Sequence, residues 1–523
     1  MPRFFNTTGP CDPQKHYMLA PEQRVPDLMP VIRDELFFVL HAARQTGKTT
    51  AMRAFAARLC GMGYVAIWAT LEESQGVEEV ASAEPIWLRA INRAAELSLP
   101  EALRPPPPAP WLSQEPGTRL SRWLGAWCAA VPDRALVLLL DEADTVSGPA
   151  LVSLLRQLRA GFMDRGPGRF PISVGLIGMR DLRDYLSHAK DGQRVNPGSP
   201  FNIKAESVTL RNFNTSEVAE LLTQHTADTG QVFTPDALQR VDHLTQGQPF
   251  LVNALARIAT QELVPDRSQP IAVAAVEAAR ERLILSRTTH LDSLAERLRD
   301  PRVAPIVQAV LLGDEPQSIA YGHDDFQYVV DLGLIRRGLD GAEAANPIYR
   351  EVLGRQLSYN IQEGLPRPRW RWQTPDGRLD MPVLVEQFLK WWRNNAAIVE
   401  EHAQQGYVEA VPHLAFMGFL QKVVNGGGQV HREFAAGRGA VDLLVAYADQ
   451  RHVIELKRVP PRHRTLAQVR EEGVEQCLRY LDEVGEPEGW LILFDQRAGR
   501  TWEERLWAED LPINGRVLHL RGA

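Results

Sequence analysis

Four continuous apolar segments that alternate with helical segments most strongly limit the folds open to the first half of this 523-residue chain. Each is strand-sized, and they lie at 36–40, 64–70, 135–140 and 172–178. Strands that are apolar throughout are typical of a parallel sheet that is covered by helices on both faces. The sequence therefore predicts an α/β domain here. A proline-rich segment at 104–116 interrupts the pattern, and we expect an exposed loop inside this domain.

The first apolar segment leads into a loop with the second half of a phosphate-binding pattern. Residues 42–49 read AARQTGKT, between a predicted strand and a predicted helix. We expect backbone N–H groups to surround nucleotide phosphates, Lys48 to contact the β- and γ-phosphates, and Thr49 to ligate Mg²⁺. Ala42 replaces the first glycine of the pattern, which removes no phosphate ligand. The predicted nucleotide-binding loop consists of Ala42, Gln45, Thr46, Gly47, Lys48, Thr49 and Thr50.

The third apolar segment ends in two carboxylates, Asp141 and Glu142. An aspartate at this place would hold Mg²⁺ through its water shell, and the adjacent Glu142 would polarise an attacking water. Helix N-capping is the structural alternative for such a pair. The order of the two motifs on successive strands favours a nucleotide site with ATP and Mg²⁺ as cofactors.

Three segments of the first half resemble the STAND and archaeal ATPases, which are P-loop ATPases of the wider AAA-like class. The segments are RQTGKTT at 44–50, LLLDEAD at 138–144 and TQGQPFLVNALA at 245–256. The last carries the Gly-x-Pro element of that group as Gly247 and Pro249. The resemblance implies that Pro249 abuts the nucleotide from a helical lid, that residues 16–19 lie beside adenine, and that Arg180 occupies a sensor position. A winged helix is a usual companion, and residues 324–352 have its order of helix, strand, turn, strand and helix.

A second constellation lies in the last third of the chain, where residues 437–457 read GRGAVDLLVAYADQRHVIELK. Two antiparallel strands joined at the polar turn 449–451 would bring Asp442, Glu455 and Lys457 into one cluster. Two carboxylates supply the hard oxygen ligands of Mg²⁺ or Mn²⁺, and a lysine can position the water that the metal activates. A surface salt bridge is the alternative for Glu455 and Lys457.

The wider pattern of this region resembles the PD-(D/E)XK nuclease superfamily, especially its RecB-like branch. The matching elements are Gly-x-x-Asp at 439–442, Ile-Glu-Leu-Lys at 454–457 and Gln476-x-x-x-Tyr480. The resemblance implies a restriction-endonuclease-like α/β fold and places Gln476 in the catalytic set. It also allows a third carboxylate from Glu409 or Glu433, each of which has a surface or structural role as its alternative.

The predicted fold class is a multidomain α/β protein in which a P-loop NTPase sheet with helical lid and winged helix precedes a nuclease-like domain. The expected regions are the ATPase with its lid at 1–265, a helical and winged-helix region at 266–362, a linker at 363–382, and the nuclease-like domain at 383–523. A net charge of −7 restricts nucleic-acid binding to a local patch. Trp391 and Trp392 could stack on bases, although core burial is the favoured interpretation.

Cellular location is predicted from what the sequence lacks. Its four cysteines have no zinc-ligand spacing, the first residues do not form a signal peptide, and the longest apolar runs are strand-sized. We therefore expect a cytoplasmic protein without a membrane partner. Three arginines are candidates for a finger supplied to a neighbouring subunit of a homo-oligomer, with solvated helix-face roles as the alternative: Arg156, Arg159 and Arg165.

These predictions together describe an ATP-binding and ATP-hydrolysing protein with a metal-dependent nuclease domain. DNA is the expected nucleic acid, and nucleotide state would control assembly or cleavage. By resemblance, such fusions fit defence against phages or mobile elements. Two alternatives stay open: a nucleotide-dependent switch or scaffold whose nuclease-like domain only binds nucleic acid or a partner, and a DNA-loading ATPase.

Overall fold

The helices and strands of the computed structural model group into two compact units. The first unit comprises Met1–Leu294 and Gln317–Tyr349, and the second comprises Ala295–Pro316 and Arg350–Ala523. The residues that the structure describes are 3–21, 24–25, 27–179, 204–286, 289–311, 324–338, 341–364, 372–403, 411–424, 428–436, 439–459, 465–495, 497 and 499–523.

A five-stranded parallel sheet forms the centre of the first unit. Its strands are β1 (Phe37–His41), β2 (Val65–Thr70), β3 (Leu136–Asp141), β4 (Ser173–Gly178) and β5 (Lys204–Thr209). Their order across the sheet is β2-β3-β4-β1-β5, so β4 separates the strand before the glycine-lysine loop from the strand that ends in Asp141. The first four strands lie within one residue of the predicted apolar segments, whereas β5 was not predicted.

Helices cover both faces of this sheet, as the apolar strands predict. They are α1 (Met29–Arg33), α2 (Lys48–Gly61), α3 (Val80–Ser98), α4 (Arg119–Ala130) and α5 (Gly148–Met163). On one face Leu138 packs in a core with Trp87 of α3, and on the other face Leu139 packs in a core with Met52 of α2. Successive residues of β3 therefore serve opposite cores, because side chains alternate along a strand.

The proline-rich segment connects α3 to α4 inside the first unit, as predicted, but it is not fully exposed. Trp123 donates its indole N–H to the carbonyl oxygen of Pro106, and Trp127 donates to that of Leu103, both at 2.9 Å. Trp111 and Leu112 belong to the segment, and their side chains pack against the core. Because a buried indole N–H group needs an acceptor, these two hydrogen bonds fix the start of the segment against the core.

Further helices follow the sheet. They are α6 (Thr215–Thr229), α7 (Pro235–Thr245), α8 (Pro249–Arg257), α9 (Val273–Leu285), α10 (Thr289–Arg297) and α11 (Ala304–Leu311). Side chains of Asn214, Thr234 and Gln248 cap the first three of them. The predicted order of helix, strand, strand and helix is then observed as α12 (Asp324–Asp331), β6 (Ile335–Arg337), β7 (Ala342–Ala344) and α13 (Pro347–Gly364). The strands β6 and β7 pair antiparallel.

The second unit contains a six-stranded mixed sheet. Its strands are β8 (Gly428–Ala436), β9 (Gly439–Tyr447), β10 (Gln450–Val459), β11 (Glu488–Asp495), β12 (Ala508–Ile513) and β13 (Arg516–Gly522). They lie in the order β12-β13-β11-β10-β9-β8. The hairpin of β9 and β10 is antiparallel, as predicted, while β10 pairs parallel with β11 and β11 pairs parallel with β13.

Helices α14 (Met381–Ala403), α15 (Val411–Val424), α16 (Leu466–Val484) and α17 (Trp502–Arg505) complete the second unit. Phe388 of α14 contacts Phe416 of α15 with ring centroids 4.6 Å apart. Trp391 and Trp392 belong to the same aromatic core and are only 8% and 3% exposed. Base stacking by this pair is therefore excluded, and the prediction of core burial is confirmed.

Candidate functional site

The glycine-lysine loop joins β1 to α2 and makes a tight turn before the helix. Gln45 and Gly47 have φ values of 57° and 90°, in the left-handed region that glycine adopts most readily. A Cβ atom on Gly47 would lie 2.8 Å from Nη2 of Arg24. Glycine at this position therefore serves both the backbone conformation and the close approach of an arginine.

Lys48 begins α2 and folds its side chain back over the loop. Its Nζ donates to the carbonyl oxygens of Ala42 and Ala43 at 2.6 and 2.9 Å. Burial lowers the pKa of Lys48 to about 8, although nearby carboxylates, Asp141 first, oppose this shift. Among the described residues Lys48 has no ion-pair partner. A desolvated ammonium group held only by carbonyl oxygens is suited to bind an anion.

Thr49 and Asp141 connect the loop to the end of β3. The Thr49 hydroxyl donates to Asp141 Oδ2 at 2.7 Å, although the two residues are 92 positions apart. The N–H of Glu142 donates to the other carboxylate oxygen at 2.9 Å. Asp141 is 2% exposed and lies in register with Thr70 of β2. Parallel strands thus bring together the oxygen ligands that the two motifs predict separately.

Glu142 lies just beyond Asp141 in a left-handed conformation with φ of 54°. Burial, followed by the charges of Glu72, Asp141 and Asp144, raises the pKa of Glu142 to about 7. Asp144 accepts the backbone N–H of Met179 at 3.0 Å, which ties this turn to the end of β4. Four carboxylates therefore gather at the carboxyl edge of the parallel sheet.

The Gly-x-Pro element lies beside the loop. Gln248 caps α8 by accepting the N–H of Leu251 at 2.7 Å, and its Nε2 donates to the carbonyl oxygen of Gln45 at 3.4 Å. Pro249 is buried in the first turn of α8. Gly247 has φ of 68°, and a Cβ atom there would lie 1.9 Å from the carbonyl oxygen of Phe213. The start of α8 is therefore held next to the predicted nucleotide loop.

Two other segments of the first unit also contact the loop region. The N–H of Cys11 donates to the Thr50 hydroxyl at 3.1 Å, so the N-terminal segment covers the first turn of α2. The turn after α12 also packs closely on the loop, because a Cβ atom on Gly333 would lie 2.4 Å from the Cβ of Ala43. The loop is thus enclosed by segments that are distant in sequence.

Sequence reasoning missed two side chains of this site, Arg24 and Trp68. Arg24 donates to the carbonyl oxygens of Thr46 at 2.8 Å and Arg211 at 3.3 Å, and it stacks over Phe213. Burial lowers the pKa of Arg24 to about 10. Trp68 donates its indole N–H to Asp141 Oδ2 at 3.0 Å. Neither of the two sequence motifs contains Arg24 or Trp68.

The predicted finger and sensor arginines have different outcomes. Arg165 donates to the carbonyl oxygen of Glu35 at 2.6 Å and lies over the ring of Phe162, which engages it within its own chain. Arg180 lies outside the described residues. Arg156 is exposed on α5.

In the second unit, the hairpin of β9 and β10 carries the other predicted cluster. The last paired residues are Leu443 and Ile454, so Asp442 and Glu455 are the next residues along the two strands. Glu455 is 1% exposed, and Lys457 Nζ lies 2.8 Å from Glu455 Oε1. The side chain of Asp442 lies outside the described part of the structure.

Helix α16 packs on this hairpin and carries Gln476. The Gln476 Oε1 atom is buried, and no described residue donates a hydrogen bond to it. Gly473, one turn earlier, lies so close that a Cβ atom would be 3.2 Å from Lys457 Cγ. Tyr480 is buried in the core of the unit. Of the two candidate third carboxylates, Glu409 and the side chain of Glu433 both lie outside the described residues.

No group of three or more His, Cys, Asp or Glu side chains with described positions is arranged to hold a metal ion. No helix in the described part of the chain combines the length and apolar character of a membrane-spanning segment.

The parallel sheet, the glycine-lysine loop and the carboxylates at the end of β3 have the arrangement of a P-loop nucleotide-binding domain. Residues 32–186 match the family model described as "AAA domain". No curated protein matches the chain significantly.

Three solved structures illustrate what the chain is similar to. A Walker-type ATPase of Pyrococcus abyssi is 16% identical, with 67% of this chain and 99% of that chain covered and a TM-score of 0.44. The ORC2 protein of Aeropyrum pernix is 14% identical, with 62% and 88% covered and a TM-score of 0.36. The RuvB Holliday junction branch migration motor of Thermotoga maritima is 14% identical, with 64% and 92% covered and a TM-score of 0.34.

Proposed function

We propose that this protein binds and hydrolyses ATP and that a metal-dependent site in its second unit cuts nucleic acid under control of the nucleotide state. The observation that carries the ATP part is the 2.7 Å hydrogen bond between Thr49 and Asp141. It joins the loop that would hold phosphates to the carboxylate that would hold Mg²⁺.

The ATP site would work through groups that are already in place. The loop N–H groups and Lys48 would bind the phosphates, and Thr49 and Asp141 would hold Mg²⁺, whose charge stabilises the phosphates during transfer. Hard oxygen donors at hydrogen-bonding distance fit that ion. Glu142 would accept a proton from the attacking water, a role suited to a carboxyl group whose pKa is about 7.

The nuclease part is supported by adjacent carboxylate positions on a hairpin. Asp442 and Glu455 would hold Mg²⁺, with Mn²⁺ as an alternative, and the metal would supply an activated water. Lys457, beside Glu455 at 2.8 Å, would orient that water. The buried Gln476 Oε1, to which no described residue donates, is the kind of polar atom that a ligand would satisfy.

The biological setting belongs to the same proposal. DNA is the expected nucleic acid, the location is cytoplasmic, and control of assembly through a homo-oligomer or of cleavage would suit phage or mobile-element defence. A nucleotide-dependent switch or scaffold is the second candidate, and a DNA-loading ATPase is a third. Metal-dependent cleavage separates the first from the others.

The ATP part is tested by nucleotide binding and phosphate release. We expect Lys48→Ala to abolish both, because the only ammonium group of the loop is lost. Lys15→Ala is the matched control, since Lys15 is an exposed lysine of the same unit. Wild-type protein that neither binds nor hydrolyses ATP would contradict this part of the proposal.

The nuclease part is tested with single- and double-stranded DNA and RNA, with Mg²⁺ or Mn²⁺, and with or without ATP. We expect Lys457→Ala and Asp442→Ala to remove cleavage, while Lys390→Ala retains it because Lys390 forms an exposed ion pair on α14. Cleavage that survives both site variants would refute the assignment. If Lys48→Ala leaves cleavage unchanged, the two activities are not coupled as proposed.

A further inference from the structure

Asp141 receives hydrogen bonds from three different elements, and one donor is an indole. Trp68 Nε1 donates to Oδ2 at 3.0 Å, and the Thr49 hydroxyl donates to the same oxygen at 2.7 Å. The backbone N–H of Glu142 donates to Oδ1 at 2.9 Å. Both oxygens of this buried carboxylate are therefore fixed by the protein itself.

The sheet explains why Trp68 can reach Asp141. Trp68 pairs with Leu139 across β2 and β3, and Asp141 lies two residues further along β3 on the same face. That face packs against α2, where the guanidinium group of Arg53 lies 5.5 Å from the centre of the Trp68 ring. The indole is thus held between the sheet and α2, with its N–H directed at the carboxylate.

The two side-chain donors would have different roles when a nucleotide is bound. Thr49 belongs to the loop, and its oxygen would be shared with Mg²⁺. Trp68 belongs to the sheet and has no proposed contact with nucleotide or metal. An indole N–H is a donor only and does not titrate, so it can hold a carboxylate in one orientation under all conditions.

We propose that Trp68 is a positioning residue that orients the Asp141 carboxylate for Mg²⁺ bound together with a nucleotide. The inference rests on the proposed ATP function and adds to it a residue that neither motif contains. A carboxylate that is already oriented loses less conformational freedom when the ion binds. Removal of the indole N–H therefore weakens metal binding without touching the phosphate site.

The test compares Trp68→Phe with wild-type protein, because phenylalanine keeps an aromatic ring and removes the N–H. Binding of a fluorescent ATP analogue is measured by titration with Mg²⁺ and, separately, in EDTA. We expect the Mg²⁺ concentration at half-saturation to rise about fivefold, the effect of losing one modest hydrogen bond, while affinity in EDTA stays unchanged. Trp111→Phe is the matched control, since Trp111 packs against the core of the same unit away from Asp141.

A second measurement does not depend on the variant being well folded. The ¹⁵N–¹H indole resonance of Trp68, assigned in the wild-type protein, should shift with Mg²⁺ and nucleotide together but not with nucleotide in EDTA. The inference would be overturned if Trp68→Phe reached half-saturation at the same Mg²⁺ concentration as wild type or at a lower one. It would also be overturned if the indole resonance did not respond to Mg²⁺. Wild-type protein that binds no nucleotide would instead overturn the ATP proposal and this inference with it.

Discussion

Glu142 combines two unusual features of the proposed ATP site, a left-handed backbone conformation and a carboxyl group that lies close to other carboxyl groups. It is a non-glycine residue with φ of 54°, a conformation that costs about 1–2 kcal/mol, and its carboxyl group is close to three others. The bond from its N–H to Asp141 helps to hold this backbone in place. Strain and like charge kept together at the end of a strand indicate a functional role more than a capping role.

We predict that Glu142→Gln keeps nucleotide binding and loses turnover. Glutamine preserves the size of the side chain but cannot accept a proton from water, so the rate of phosphate release should fall about 100-fold or more. Equilibrium binding and single-turnover hydrolysis measure the two effects separately. Glu73→Gln is the control, because Glu73 is an exposed neighbour in the turn after β2. Turnover within a fewfold of wild type would remove Glu142 from the mechanism.

His290 provides a second residue-scale prediction, which concerns stability and pH. It is 4% exposed, its Nε2 lies 2.6 Å from the Tyr349 hydroxyl, and its ring packs on Phe250. Burial first, and then the charge of Arg44, lowers the pKa of His290 to about 4. As the pH falls, the His290 imidazole is therefore protonated at a higher pH in the unfolded chain than in the folded protein.

Stability should consequently fall as pH decreases from about 6.5 towards 4, and at pH 5 this histidine alone should cost about 2 kcal/mol. Urea unfolding monitored between pH 7.5 and 5 measures the slope. We expect His290→Asn to flatten the slope, whatever it does to stability at pH 7.5, because the titrating group is gone. An identical slope in the variant would show that other groups carry the acid sensitivity.

Residues that form local motifs were predictable from the sequence, and residues that act across the sheet were not. Lys48 and Thr49 follow a glycine at fixed spacing, and Asp141 ends an apolar strand, so chain order alone identifies them. Trp68 reaches Asp141 only because strand order and side-chain alternation bring it there, and Arg24 reaches the loop from the segment before α1. Such contacts have no spacing that a sequence pattern could detect.

At the scale of elements, the junction between the sheet and α8 depends on one close approach. Gly247 has φ of 68°, and its Cα faces the carbonyl oxygen of Phe213, where a Cβ atom would be 1.9 Å away. The N–H of Phe213 donates to the carbonyl oxygen of Gly247 at 2.9 Å. Phe213 also stacks under Arg24, which binds the loop. Movement at this junction would therefore reach the nucleotide loop.

We predict that Gly247→Ala destabilises the first unit by more than about 2 kcal/mol, since backbone strain and a backbone clash add. Gly230→Ala is the matched control, because Gly230 ends α6 with φ of 79° and has no atom within 4 Å of its Cβ position. It should cost only about 1 kcal/mol, the penalty for the left-handed conformation. Thermal unfolding measures both variants, and equal losses would show that the approach to Phe213 is readily relaxed.

Elements with strong patterns were predicted well, and an edge strand was not. The four apolar strands of the first unit and the hairpin of the second are nearly where the sequence places them. By contrast, β5 reads KAESVT and lies at the edge of the sheet beside β1, and four of its six residues are polar. An edge strand with polar residues lacks the continuous apolar run that identified its neighbours.

At the scale of the whole molecule, the predicted sites fall in different compact units. Lys48, Asp141 and Glu142 belong to the first unit, and Glu455 and Lys457 belong to the second. The predicted boundaries at 265, 362 and 382 remain predictions. Composition can indicate a linker, but it does not show which helices pack against which sheet. A ligand for one site should act on the stability of its own unit.

We therefore predict that Mg²⁺ and a non-hydrolysable ATP analogue raise only one unfolding transition in differential scanning calorimetry. At a hundredfold excess over Kd the stabilisation should be about 3 kcal/mol, because the ligand binds the folded state alone. The transition that rises should be the one that Gly247→Ala lowers. Lys48→Ala should abolish the shift and Lys457→Ala should retain it. A shift that survives in Lys48→Ala would place the nucleotide outside the loop, and a shift of every transition by the same amount would mean that the two units unfold as one.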